Sequence, residues 1–373
     1  DSDGRPKGLL QESAMAPIFA LVRPMGLDEV QRNLGLASDQ ALSYGLTSVT
    51  EPGIGEIRMV GNSPLDYHAY QTAVEERLLR VRTTLMPYIT VLHPFSDLPD
   101  KRVLGLDLGI RTGLGDDMLS VGPVKIVADG SFIGRSAAMH ACFHGEADNF
   151  GVLLHEPEAL RDYIVGAHLA GWTVATHAIG DRAITHVLDA IEHAQSIAPR
   201  PDVRHRIEHF ALASDADIAR AAALGVIPVP QGVFISDFGD GMAAAVDAER
   251  RDDIYRVKSL ADAGIVLNGS TDSPISDANP LVSLRDMVLR RPSSGEVLGP
   301  RECVSVDEAV RAYTHGSAYA VGQEQQKGTL KVGMLADFIT LSDDLYEIDP
   351  ERIADQQVTT TVVGGEIVFG DGA

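Results

Sequence analysis

The chain has 373 residues, enough for one large α/β barrel or two ordinary domains. A formal charge of −22, from 31 basic and 53 acidic side chains, repels phosphate backbones and anionic lipid, so neither nucleic acid nor a membrane is an expected partner. Only Cys142 and Cys303 carry thiols, which excludes a disulfide framework and a thiolate metal cluster, and no uninterrupted apolar run reaches bilayer length.

In chain order, the opening "DSDGRPKGLLQE" has neither a basic n-region nor an apolar h-region, so it is not a signal peptide and a cytoplasmic location is expected. "GLTSVTEP" (45–52) reads as a strand, and "NSPLDYHAYQTAVEERLLR" as a helix with Ser63 as N-cap and Pro64 at its first position. "RVRTTLMPYIT" and "VGPVKIVADG" are strands; "EPEALRDYIVGAHLAG" is a helix ending at Gly171; "WTVATHA" is the strand after it. "DRAITHVLDAIEHAQ" is helical, with Ile184, Leu188 and Ile191 on one stripe.

"VRHRIEHF" (203–210) then places two histidines four apart. On a helix His205 and His209 would share a face, as in zinc peptidases; on a strand they would lie about 13 Å apart, too far for one ion. "APRPD" breaks the chain before them, and "SDADIARAAALG" opens a helix with Ser214 as N-cap and Gly225 as its stop, leaving room only for a strand. One of the two histidines, not both, is therefore expected at a site beyond the strand's end. "VIPVPQ" is the next strand, then a helix over about 248–263, the strand "IVLNGSTDSP" and the helix "NPLVSLRDMVLRR". This makes seven strand-then-helix units, the alternation of parallel strands under covering helices, where a closed barrel takes eight. From residue 304 a helix "SVDEAVRAYTHGSAYAVG" leads into short strands with Gly turns, "KGTLKVGMLADFITL" and "VTTTVVGGEIVFG". The expected division is a barrel over 1–322 and a small β-domain over 323–373.

Barrel enzymes place their chemistry where strands end. The polar residues there are Glu51, Lys125, Asp129, His177, His209, Gln231 and Asp272. Two imidazoles, a lysine and a carboxylate on successive strand ends are the inventory of a hydrolytic metal centre. Each also has a structural reading: His177 as a hydrogen-bonded core residue, Asp272 as a turn cap. Lys125 sits among apolar neighbours, so it either pairs with Asp129 or Glu51, or loses its proton. A neutral lysine there can take up carbon dioxide as a carbamate, which bridges cations as a carboxylate does. "HACFH" lacks the glutamate of HExxH, so His140 and His144 read as a substrate-facing loop. Arg135 in "DGSFIGRS" meets an anionic substrate group or forms a loop salt bridge. The stretches "LHPFSDLPD", "FIGRSAAMHACFH" and "GVFISDFGD" are read as the loops that shape a pocket.

"VKIVADGSFIGRSAAM", "HAIGDRAI", "RHRIEHF", "GSTDSP…NPL" and "KGTLKVGMLADFITL", in this order over nearly the whole chain, resemble the amidohydrolase superfamily, in the branch of metal-dependent hydrolases that includes N-substituted formamide deformylase. The resemblance implies a TIM-like (β/α)8 metallo-hydrolase barrel, with a β-sandwich built from both chain ends. It also implies one or two divalent ions, usually zinc, held by an HxH pair on the first strand, a lysine carbamate or acid on the fourth, histidines on the fifth and sixth, and an aspartate on the eighth. On matching positions it makes Lys125, His177, His209 and Asp272 the metal ligands, with Asp272 and His209 also catalytic. His205, Asp129, Arg135, His140, His144 and Gln231 fall on the substrate side, His205 as a residue that orients a neighbour or substrate.

One departure stands out: none of the 12 histidines forms an HxH pair. Together with the seven units and the internal-looking start, this leads to the expectation of a barrel lacking its first strand, with the C-terminal strands as a sandwich remnant. Any export signal would belong to the absent part. The implied activity is hydrolysis of a C–N bond, in an amide or N-substituted formamide-like small molecule, by metal-activated water; a homodimer is a further expectation. The alternatives are a non-catalytic fragment without the HxH half-site, and a deaminase of a cyclic amidine. The latter is disfavoured because strand alternation turns Glu208 away from the face of His209.

Overall fold

A computed structural model of the chain describes residues 8, 10, 12–56, 61–95 and 103–371. The opening "DSDGRPKGLLQE" and the loop "LHPFSDLPD" fall largely outside them.

Two helices that the sequence reading did not anticipate, α1 (Ala16–Val22) and α2 (Leu27–Ser43), precede strand β1 (Ser48–Ile54). After α3 (Asp66–Glu75), β2 (Arg82–Pro87) pairs in parallel with β1 and with the short β5 (Leu119–Val121), while β3 (His93–Pro94) and β4 (Leu104–Gly105) form a small antiparallel ribbon. Strands β6 (Val124–Val127), β7 (Val174–Ala178), β8 (Arg206–His209) and β9 (Ile227–Val229) form a second parallel sheet in chain order. A bridge between Tyr88 and Lys125 joins the two sheets, and one between Gln231 and Ser270 extends the row. With β5 and β6 counted as one interrupted strand, this gives seven consecutive parallel segments among the described residues, as expected, but "IVLNGSTDSP" contributes one bridge in place of a strand. Gly269 lies so close to the Tyr313 ring that a Cβ there would meet it at 2.2 Å, and Asp272 turns left-handed at φ 57°, so pairing stops early.

The covering helices are α4 (Pro157–Leu169), α5 (Asp181–Ile197), α6 (Asp215–Leu224), α7 (Phe234–Ala245), α8 (Val257–Asp262) and α9 (Pro280–Leu289), followed by α10 (Val306–Arg311) and α11 (Ser317–Ala320). Ser214 and Gly225 bound α6 as the sequence indicates, through a capping box with Asp217 and a left-handed stop. Three readings need correction. The helix expected from Ser63 begins at Asp66, whose carboxylate takes the N–H groups of Gly55, Asn62 and Ser63 and so holds the preceding residues as a turn. The helix expected over 248–263 is a 3₁₀ segment and then α8, broken where Tyr255 is left-handed at φ 51°. "GVFISDFGD" is not a loop; most of it opens α7.

Packing decides which strand residues face inward. Val124 and Ile126 of β6 pack in one core with Leu160 and Ile164 of α4 and Ile184, Leu188 and Ile191 of α5. Alternation then turns Lys125 to the opposite face. In β8, Ile207 belongs to the same helix-side core, which turns Arg206 and Glu208 inward. The register places Lys125, Ala175 and Arg206 at one level, and Val127, His177 and Glu208 at the next. The two ends of the strand row, Ser48–Glu51 and Asn268–Asp272, both line a cavity of about 870 Å³. Strands β10 (Phe338–Leu341), β11 (Val358–Val363) and β12 (Glu366–Gly370) form an antiparallel sheet, and Val363 and Val368 pack against Leu42 of α2 and Ala73 of α3. No helix among the described residues is long and apolar enough to cross a membrane.

Candidate metal centre

Lys125 is buried and lines the cavity. Burial pushes its ammonium down from the usual lysine range and Arg206 adds to this, while the carboxylates of Glu208 and Asp272 oppose it. The alternative ion pair with Asp129 or Glu51 does not form among the described residues. Glu51 shares the face of β1 that packs on α3: Tyr70 donates to its Oε2 at 2.9 Å, and burial raises its carboxyl to about 7.

His177, at the end of β7, meets His209 with ring centroids 4.5 Å apart and planes at 74°. Its Nε2 lies 3.1 Å from the Gly130 carbonyl and 3.3 Å from Asp129 Oδ1, acceptors that place the proton there and leave Nδ1 with the lone pair. His209 is held the other way round. Its Nδ1 lies 2.7 Å from Gln231 Oε1, which accepts only, so Nδ1 donates and Nε2 carries the lone pair. Gln231 is fixed in turn: its Nε2 donates to the Val229 carbonyl at 2.7 Å, and the Tyr255 hydroxyl donates to its Oε1 at 3.1 Å. Burial and the neighbouring His177 and Lys125 hold His209 well below the usual histidine range.

Asp272 completes the group. Burial raises its carboxyl above the ordinary aspartate value, against the pull of Lys125 and His177. Both Asp272 and His209 (φ 72°) are left-handed, a conformation that costs a non-glycine residue of order 1 kcal/mol and concentrates at functional sites. Among the described residues, neither the Lys125 ammonium nor the Asp272 carboxylate has a hydrogen bond or ion pair. Lys125, His177, His209 and Asp272 are thus electrostatic neighbours. They do not form a closed cage: among the described residues, no three His, Cys, Asp or Glu side chains are gathered closely enough to hold an ion. The donor chemistry nevertheless fits a divalent cation. Among the described residues each imidazole is anchored through one nitrogen and keeps the other free, as metal-ligating histidines do, beside a carboxylate without a partner and a lysine whose burial disfavours its charged form.

Of the residues expected on the substrate side, Gln231 lines the cavity and His205, Asp129, Arg135, His140 and His144 do not. Asp129 is fully buried and accepts the N–H groups of Ala138, Ile179 and Gly180, so it positions His177 and does not face substrate. Arg135 forms the loop salt bridge, to Glu146 at 2.9 Å. His140 is exposed beside Thr185, and His144 is paired with Asp247 at 2.7 Å. Glu208 also departs from expectation. It lines the same cavity as His209, because the left-handed turn at His209 ends strand alternation, but Arg206 holds both of its oxygens at 2.9 Å. Arg206 and Tyr255 are residues of this site that the sequence reading missed.

His205 lies at the other end of β8, away from the cavity, and is not a substrate residue. Its Nδ1 accepts the Val174 N–H at 3.1 Å, its Nε2 meets His168 Nδ1 at 2.9 Å, and His168 Nε2 donates to the Ala198 carbonyl at 2.7 Å. Both rings are buried, and burial pushes both below the usual histidine range. An unfolded histidine titrates near 6.5, so as pH falls below about 6.5 the unfolded chain takes up protons that the folded one refuses. Stability present above that pH is therefore lost below it, by roughly 1 kcal/mol per pH unit for a fully buried ring. Urea denaturation at about pH 7.5 and 5.5 checks this: the wild-type chain should lose more stability between the two than His205→Gln, and equal losses would show that the histidine chain is uncoupled from folding.

Comparison with known proteins supplies the context. The chain is 30% identical over 374 residues to YtcJ of Bacillus subtilis (strain 168), covering 99% of this chain and 67% of that one. It is 28% identical over 254 residues to the N-substituted formamide deformylase of Arthrobacter pascens, covering 68% of this chain and 46% of that protein. A solved metal-dependent hydrolase from Pyrococcus horikoshii superposes with a TM-score of 0.76 at 25% identity, over 91% of this chain and 65% of its own. The chain spans about two-thirds or less of the length of these relatives. The model of the amidohydrolase family matches residues 1–369, and the chain belongs to that family.

Proposed function

We propose that Lys125, His177, His209 and Asp272 hold a divalent cation, most simply zinc, and that the site hydrolyses the C–N bond of a small amide, with N-substituted formamides the leading substrate class. The observation that carries this reading is the pair of oppositely anchored imidazoles, with Nδ1 of His177 and Nε2 of His209, and the carboxylate of Asp272, all without a partner among the described residues. When bound, the cation supplies Lewis acidity, lowering the pKa of water and stabilising negative charge on oxygen. Lys125, whose burial disfavours its charged form, would serve as a ligand once its neutral amine bonds carbon dioxide and the displaced N–H proton passes to solvent, leaving a carbamate.

Asp272 accepts the proton of the attacking water and delivers it to the leaving nitrogen. Water oxygen bonds to the acyl carbon, the C–N bond breaks, and the products are a carboxylic acid and an amine. Gln231 and Tyr255 keep His209 in one tautomer, and Asp129 does the same for His177. Ser48–Glu51 and Asn268–Asp272 line one cavity, and a further strand of a full barrel running between them would bring the remaining ligands. Deamination is a weaker reading, because Arg206 already occupies the Glu208 carboxylate that would have to shuttle protons.

Metal content separates this reading from that of a non-catalytic scaffold. After loading with zinc and desalting, plasma mass spectrometry should find about one ion per chain, and a His209→Ala variant should hold less than a third of that. Near-zero metal in the wild-type chain, together with no hydrolysis of formamide substrates, would support the scaffold.

A further inference from the structure

Lys327 lies outside the metal centre, in the turn between α11 and β10, and lines the same cavity near the start of β1. It is 8% exposed. Its Nζ donates to the hydroxyl of Ser48, a neutral partner, and among the described residues no carboxylate lies within ion-pair reach of it. The acids nearby are already committed. Asp337 accepts from Arg82 Nε at 2.6 Å and Nη2 at 3.0 Å, and Asp117 accepts from Arg82 Nη1 at 2.8 Å. The backbone is fixed as well. The Lys327 N–H donates to the Gln323 carbonyl at 3.0 Å, and a Cβ on the next residue, Gly328, would meet the Ala318 Cβ and His315 Cα at 2.9 Å.

We propose that Lys327 is a modification site, a nucleophilic amine that takes small uncharged acyl donors entering through the cavity. The Nζ lone pair attacks the acyl carbon and the N–C bond forms. The bond to the leaving group breaks with its electron pair, as carboxylate when the donor is an anhydride, and the displaced N–H proton passes to solvent. An ammonium paired with carboxylates would resist this, because the reactive form is the neutral amine. Here burial pushes the group down to about 8, with Arg82 adding to the effect and Asp337 and Asp117 opposing it. Acylation would remove the positive charge at the foot of β1 and narrow the lower end of the cavity. None of this rests on the metal-centre reading.

Competitive labelling of the whole chain with trace acetic anhydride between about pH 6 and 10, mapped by peptide mass spectrometry, tests it. Lys331, which is exposed, and Lys258, which is paired with Asp262, are internal references. Near pH 7.5, Lys327 should acetylate about tenfold faster than either, with half-maximal reactivity near pH 8, because its neutral fraction is larger. Lys327→Arg should abolish that labelled peptide and leave the rates at Lys331 and Lys258 unchanged. Labelling of Lys327 no faster than Lys331, or a profile that rises only toward pH 10, would overturn the proposal.

Discussion

Asp272→Asn should lower kcat on the best amide substrate by about 10²–10⁴-fold, the usual weight of a positioned proton carrier. The substitution isolates the proton. Asparagine keeps the shape of aspartate and, like it, tolerates the left-handed backbone that position 272 adopts, so the turn should survive. A carboxamide can still offer an oxygen to a cation but cannot take a proton from water at neutral pH. Steady-state turnover, with metal content and a thermal melt on the same sample, makes the comparison. Wild-type turnover in Asp272→Asn would remove the residue from the chemistry, whatever its effect on metal retention.

Arg206→Met should destabilise the chain by about 3–5 kcal/mol, the penalty for stranding one member of a buried ion pair. Arg206 and Glu208 are 4% and 7% exposed and joined by two hydrogen bonds of 2.9 Å, so removing the guanidinium leaves a carboxylate facing Asp272 across the cavity. Replacing both residues, as Arg206→Met with Glu208→Leu, should recover most of the loss, since a buried pair is often no better than apolar side chains of similar volume. Urea denaturation of the three chains gives the differences. A double variant as unstable as the single one would mean that Arg206 stabilises through something other than its partner.

Much of the scaffold was legible because its signals are local. Ser214 and Gly225 bound α6 by themselves, the stripe of Ile184, Leu188 and Ile191 marks α5, and the breaks around "VRHRIEHF" select a strand and so separate His209 from His205. What escaped depends on contacts between distant residues. Asp129 looks like a substrate residue until Ala138, Ile179 and Gly180, 9, 50 and 51 positions away, are seen to point their N–H groups at it. The face of Glu208 was misjudged because alternation holds only to the last strand residue, and the backbone flips at His209. Tyr255 reaches Gln231 across 24 residues, and His168 reaches His205 across 37, with nothing in the intervening sequence to announce either.

The position of Asp129 has a wider consequence. One carboxylate both ties two other stretches of main chain to its own and holds the His177 ring, a proposed ligand. Rigidity of the framework and aim of the reactive centre are therefore not separate properties here. Changing this residue would disturb both at once, so the ring cannot be re-aimed here without loosening the main chain around it.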